Sequence, residues 1–206
     1  MRRLTITGAN KGWLLYVDEA MIREMEEKFG QPEVLRLTQE ITPEEMALVR
    51  GSQKHGRAHD ITLFIFRGEK LALIRKPIHP PGVFRAPSGG LNPGEPFEEG
   101  AKREAREETG LEIEIERYLL RIQVRFICGE EDIEWSSHVF SARAVGGGLA
   151  PQDTREILAA RWATLEELQG PIREAGLAPG WGLLDYRVTL TDRAVALLQK
   201  ERGCTP

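Results

Sequence analysis

The chain predicts an α/β fold, and three observations carry that prediction. Two strongly apolar runs, Ile61–Phe66 and Leu71–Arg75, flank a polar turn at Arg67–Lys70. A helical stretch from Pro96 to Thr109 follows a loop rich in glycine and proline. Apolar runs then return at Tyr118–Phe126 and His138–Val145. Strand signals interleaved with helical ones mark this class, whereas segregated runs would point elsewhere.

Residues 1–57 read as a mainly helical N-terminal extension, and residues 58–206 as the main domain with a C-terminal helix. In the extension, Trp13–Val17 is a short apolar run. Asp18 is placed to cap a helix running to Phe29, with Gly30 ending it and Met21, Ile22, Met25 and Phe29 as its apolar stripe. Thr42-Pro43-Glu44-Glu45 opens a second helix with a cap, a proline at its first position and a glutamate three residues after the cap. Ile61–Phe66 shows no polar alternation, which predicts a strand covered on both faces. The turn at Arg67–Lys70 returns the chain as the next strand. Val83–Ala86 leads into the glycine-rich loop, and Ile113, Ile115 and the two later runs supply further strands. Thr164 with Glu167 is a capping box. Thr191-Asp192 predicts the start of a last helix with Ala194, Val195, Leu197 and Leu198 facing inward.

Composition narrows the class. Hydrophobic residues are 41% and charged residues 29% of 206 positions, as in a globular domain that can bury a full core. The net charge of −4 gives no general attraction to nucleic acid, so none is expected as a partner. Cys128 and Cys204 stand far apart in no metal-type spacing, which suits a reducing, cytoplasmic location. No apolar run is long enough to cross a membrane, and the first residues lack the apolar core of a secretion signal.

The densest information lies in GGLNPGEPFEEGAKREAREETGL, residues 89–111, whose pattern is G-x5-E-x7-R-E-U-x-E-E-x-G-U with U apolar. Each helical residue advances roughly 100°. Phe97, Ala101 and Ala105 therefore share a stripe suited to packing on a sheet. Glu104, Glu107 and Glu108 project from one side, and Arg103 is placed to pair with Glu107. Gathered carboxylates repel one another unless they bind protons or a cation. Oxygen ligands select hard divalent ions, Mg²⁺ first and Mn²⁺ second. Such an ion also binds phosphate oxygens and lowers the pKa of bound water. The chemistry indicated is metal-assisted attack of water on a phosphoanhydride. Gly100 falls between Glu104 and Glu107, either as room for metal or substrate or as a site of close loop packing.

With every fixed position filled, this segment resembles the signature of the Nudix hydrolases. The resemblance implies a mixed β-sheet sandwiched between helices and hydrolysis of a nucleoside diphosphate linked to another group. It implies Glu104 and Glu108 as metal ligands and catalytic groups, with Glu107 contributing directly or through water. Arg103 and Glu95 would hold helix and loop in place. Ser88 would offer its backbone carbonyl to the metal. Glu156, ahead of Arg161-Trp162, is the candidate for a further acid, or else an exposed loop residue. The general base is Glu104 in first place, then Glu108, then Glu156. Arg75, Lys76 and Arg85 lie near enough in sequence to meet phosphates, Arg85 foremost. The Pro-Ser-Gly entry at residues 87–89 and the added N-terminal segment favour ADP-ribose or a nucleotide sugar as substrate; a nucleoside triphosphate is the alternative. Family members are often dimers, so the extension is read as a homodimer contact or a lid. A nucleotide sensor without turnover is the other class of function. The intact glutamates speak against it.

Overall fold

The computed structural model describes residues 17–202. Most of the Trp13–Val17 run, and Cys204, lie outside the described residues. Helix α1 spans Glu19–Phe29, and the Asp18 carboxylate accepts the Met21 N–H at 2.8 Å as its cap. Helix α2, Pro43–Ser52, starts with the expected capping box between Thr42 and Glu45. Between these helices lies strand β1, Glu33–Glu40, which the sequence reading did not anticipate. Its half-buried residues alternate with exposed ones, and only Leu35 and Leu37 carry apolar side chains on the inner face. So weak a pattern becomes a strand because a neighbour supplies the ladder.

The other strands are β2 (His59–Arg67), β3 (Lys70–Arg75), β4 (Ser88–Gly89), β5 (Leu111–Cys128), β6 (Glu131–Gly147) and β7 (Ala159–Ala163). They form one seven-stranded sheet in the order β1-β5-β6-β2-β3-β7, with β4 added on β2. The sheet is mixed: β1 runs parallel to β5 and β2 parallel to β6, while β5–β6, β2–β3 and β3–β7 are antiparallel. Helix α3, Phe97–Thr109, connects β4 to β5. Helices α4 (Leu165–Gln169), α5 (Pro171–Leu177) and α6 (Gly182–Arg202) follow β7.

Strand β2 shows why both of its faces must be apolar. Ile61, Leu63 and Ile65 point into a core shared with Phe97, Ala101 and Ala105 of α3 and Met25 of α1. Phe64 and Phe66 point the other way, into a core with Met46 and Val49 of α2 and Tyr186, Leu190 and Ala194 of α6. The side-chain period of two thus feeds two cores, and the sheet lies between helical layers. Residues before position 58 contribute to both.

The last helix differs from expectation. Helix α6 runs unbroken from Gly182, so Thr191 and Asp192 sit inside it and start nothing. The Asp192 carboxylate accepts Arg173 Nε at 3.0 Å and Gln169 Nε2 at 3.2 Å, which ties α4 and α5 to α6. An aspartate with tertiary partners does not compete with the helix backbone, so its capping tendency goes unused. The start of α6 is held instead by Glu45, whose buried carboxylate accepts the Leu183 N–H at 2.8 Å while closing the α2 capping box. Helices α2 and α6 are thereby locked together where they border a deep cavity.

Candidate active site

That cavity, of about 500 Å³, is lined on one side by Glu104, Glu107 and Glu108 of α3 and by Ser88, Gly89 and Gly90. Lys76, His79 and Arg85 from the loops before β4, and Asp60 of β2, form its inner wall. Asp153 and Glu156 line the rim, and Leu48, Val49, Trp135, Leu183 and Leu184 add apolar lining.

The loop before α3 is built around Arg103. Its guanidinium donates to Glu95 through Nε and Nη2, both at 2.8 Å, and to the Gly90 carbonyl at 2.9 Å. Nη1 donates to Glu104 and Glu107, both at 2.9 Å. Glu95 in turn accepts the Asn92 N–H at 2.8 Å. One side chain therefore holds both the loop and two of the three acids. Glu108 is buried; its Oε2 accepts the Ser88 N–H at 2.6 Å, and its Oε1 faces Lys76 Nζ at 3.1 Å. Glu104 Oε1 accepts the Gly90 N–H at 3.2 Å. Its carboxylate lies against Gly89, where a Cβ would stand 1.8 Å from Oε2. A side chain there would displace the Glu104 carboxylate from this position. Gly110, in the left-handed region at φ 76°, ends the helix.

A family model for the NUDIX domain matches residues 54–180. The chain belongs to the NUDIX family. Among curated Nudix relatives, the NAD-capped RNA hydrolase NudC of Stutzerimonas stutzeri is 32% identical over 114 residues, 55% of this chain and 39% of that protein. The enzyme of the same name from Chromobacterium violaceum is 32% identical over 112 residues, 52% of this chain and 38% of that protein. The chain thus spans about two fifths of the length of these relatives. Among solved structures, a MutT NUDIX hydrolase from Burkholderia pseudomallei is 27% identical with a TM-score of 0.43, covering 53% of this chain and 84% of that one.

Within this Nudix site, the structure gathers most of the residues singled out from sequence. Glu104, Glu107, Glu108, Ser88, Arg85 and Glu156 all line the cavity, with Glu95 and Arg103 directly behind it. Arg75 does not line it; Lys76, one residue on, does. Successive residues of extended chain face opposite sides, so only one of the two can reach the site. Gly100 is packed against the loop rather than leaving room: a Cβ there would stand 2.2 Å from Leu91 Cδ2 and 2.8 Å from Glu95 Oε2. Leu91 is buried and Glu95 is held by Arg103, so neither side chain yields freely. Gly100→Ala in a free helix would stabilise by about 1 kcal/mol. Here it should destabilise by about 1–3 kcal/mol through overpacking, read as a lower melting temperature.

Divalent metals serve Nudix hydrolases generally. Among the described residues no three carboxylate, imidazole or thiol side chains converge on one point. The donor set nonetheless suits a hard cation, being oxygen throughout. Lys76 Nζ lies 3.1 Å from Glu108 and 3.3 Å from Glu156, so positive charge already stands between an acid of α3 and the rim. Burial raises the Glu104 carboxyl above its usual range; Arg103 opposes this, and Glu108 and Glu107 add to it.

On the inner wall, the pairing of Asp60 with Arg187 was not legible from sequence. Asp60 is 4% exposed and pairs with Arg187 of α6, with Nη2 to Oδ2 at 2.5 Å. Trp135 Nε1 donates to it at 3.1 Å, and Ser137 Oγ also bonds it. Two signals could have exposed this pair. Asp60 is a charge directly before the apolar run Ile61–Phe66, and Arg187 lies three residues from both Leu184 and Leu190 on the buried stripe of α6.

Proposed function

We propose that this chain hydrolyses the phosphoanhydride of a nucleoside diphosphate linked to another group, using Mg²⁺ or Mn²⁺, with ADP-ribose or a nucleotide sugar as the leading substrate. The observation that carries the reading is the placement of Glu104, Glu107 and Glu108 on one wall of a cavity with Lys76 and Arg85 on the next. Glu104, Glu107, Glu108 and Glu156 would hold the metal together with the Ser88 carbonyl. When bound, a divalent ion supplies charge for the phosphate oxygens and makes a bound water more acidic. Glu104, whose carboxyl is raised by burial, is suited to take the proton from that water. Arg103 and the Gly90 N–H keep its carboxylate aimed during the transfer. The Ser88 N–H keeps Glu108 facing the cavity. Arg85 donates to the Ser88 hydroxyl at 2.7 Å and is placed to meet a phosphate oxygen.

The Pro-Ser-Gly entry supports a nucleotide joined to a sugar. The curated relatives act, by their names, on NAD-capped RNA, which favours NAD as a second candidate. A nucleotide-derived small molecule is the partner either way, and a homodimer is the assembly we favour. The test is a panel of ADP-ribose, nucleotide sugars, NAD, dinucleoside polyphosphates and nucleoside triphosphates, each with Mg²⁺ or Mn²⁺ and with isotope-labelled water. The expected product is a nucleoside monophosphate, released only with metal, and the label shows which phosphorus is attacked. Ligand binding without product from any of them would replace this reading with a sensor.

A further inference from the structure

We propose that Arg187 and Arg85 together form an anion subsite for a substrate phosphate, with Asp60 positioning Arg187. The proposal rests on the phosphoanhydride reading above and names a second part of the same site. Both guanidiniums line the cavity, one from the loop before β4 and one from α6. Their settings differ. Arg187 donates to Asp60 Oδ2 and, through Nη1, to Thr62 Oγ1 at 3.2 Å. A guanidinium carries five N–H donors, so this one keeps further donors after fixing its place. Arg85 donates only to neutral groups, the Ala86 carbonyl at 3.0 Å and the Ser88 hydroxyl. Among the described residues it makes no carboxylate ion pair. Two guanidiniums therefore share one directly paired carboxylate, while Glu108 and Glu156 act on Arg85 without a direct ion pair.

Asp60 is not free to supply the missing anion. Trp135, Ser137 and Arg187 occupy its oxygens, and Tyr186 backs this arrangement by donating to Ser137 Oγ at 2.6 Å. The imidazole of His79, on the same wall, reports the field. It is held down at about 3 by burial and then by Arg85, Arg187 and Lys76. Its Nδ1 is buried without a hydrogen-bond partner. Like charges gathered at low exposure repel each other, and an oxyanion between them relieves that cost while using the spare donors. The acids of α3 line the same cavity, with Glu108 near enough to act on both guanidiniums. A substrate phosphate still meets attraction at the guanidiniums without metal, and at α3 only with it.

Inorganic pyrophosphate titrated calorimetrically into the full chain in the presence of a chelator tests this directly. The parent should bind it. Asp60→Asn combined with Arg187→Gln neutralises both partners and should raise Kd at least about tenfold. Arg187→Lys keeps the charge opposite Asp60 but loses the fork, and should raise Kd several-fold. If the double variant does not fold by circular dichroism, Arg187→Lys decides alone. No metal-free binding by the parent overturns the proposal, as does parent-like affinity in the folded variants. These outcomes are independent of turnover. An active enzyme that fails them loses only this subsite, and a chain that binds pyrophosphate yet cleaves nothing loses the catalytic reading instead.

Discussion

Replacing Glu104 with glutamine should lower kcat by about 10³-fold, within the range that a lost general base produces. Glutamine keeps the shape and one acceptor oxygen. The Gly90 N–H and Arg103 can still be satisfied, so melting temperature should change little. What disappears is the negative charge and the ability to take a proton. Glu108→Gln has a different expected signature, because Glu108 binds the Ser88 N–H and Lys76 rather than standing against Gly89. Its chief effect should be a higher metal concentration for half-maximal rate, with a smaller fall at saturating metal. Initial rates against metal concentration for the two variants separate these roles. A Glu104→Gln enzyme within tenfold of the parent at every metal concentration would remove Glu104 as the base.

The second large effect is on stability. Asp60→Ala should cost about 3–5 kcal/mol, because it strands the Arg187 guanidinium against a buried wall. That is a large part of the whole stability of an ordinary domain. Urea unfolding of the variant should show an early midpoint, and Asp60→Ala with Arg187→Leu should recover most of the loss, since removing both charges avoids the unpaired one. The same pair predicts an acid response. Burial alone would raise the Asp60 carboxyl. The Arg187 charge and the hydrogen bonds from Ser137, Arg187 and Trp135 outweigh it and hold the group at about 2, below its ordinary 3.8. A depressed carboxyl stabilises the fold fully above its unfolded value and loses that contribution as pH falls from 3.8 toward about 2. The parent should therefore lose more stability across this window than the Asp60→Ala, Arg187→Leu chain. Parallel pH curves for the two would show that the pair contributes nothing.

Legibility followed the range of the interactions involved. Helix α3, its apolar stripe and its acidic face could be read because helical spacing places side chains without reference to the rest of the chain. The both-faces-buried strand β2 was readable for the same reason, as its apolar run has no alternation to hide. The caps at Asp18, Thr42 and Thr164 are contacts within a few residues and formed as written. Strand β1 escaped notice because its ladder partner, β5, lies 87 residues on in sequence, Glu33 pairing with Leu120. The continuity of α6 escaped because Asp192 finds its partners on α4 and α5, so a residue that favours helix starts sits inside one.

The family, the acid-bearing helix and its apolar stripe were already written in the chain. It took the folded chain to show that Lys76 rather than Arg75 faces the acids, that Gly100 is packed tight, and that Arg187 lines the same cavity as Arg85. The reason is physical. Local spacing fixes which side chains share a face, but the charge balance of a cavity depends on which distant faces meet, and that is set by strand register and helix packing.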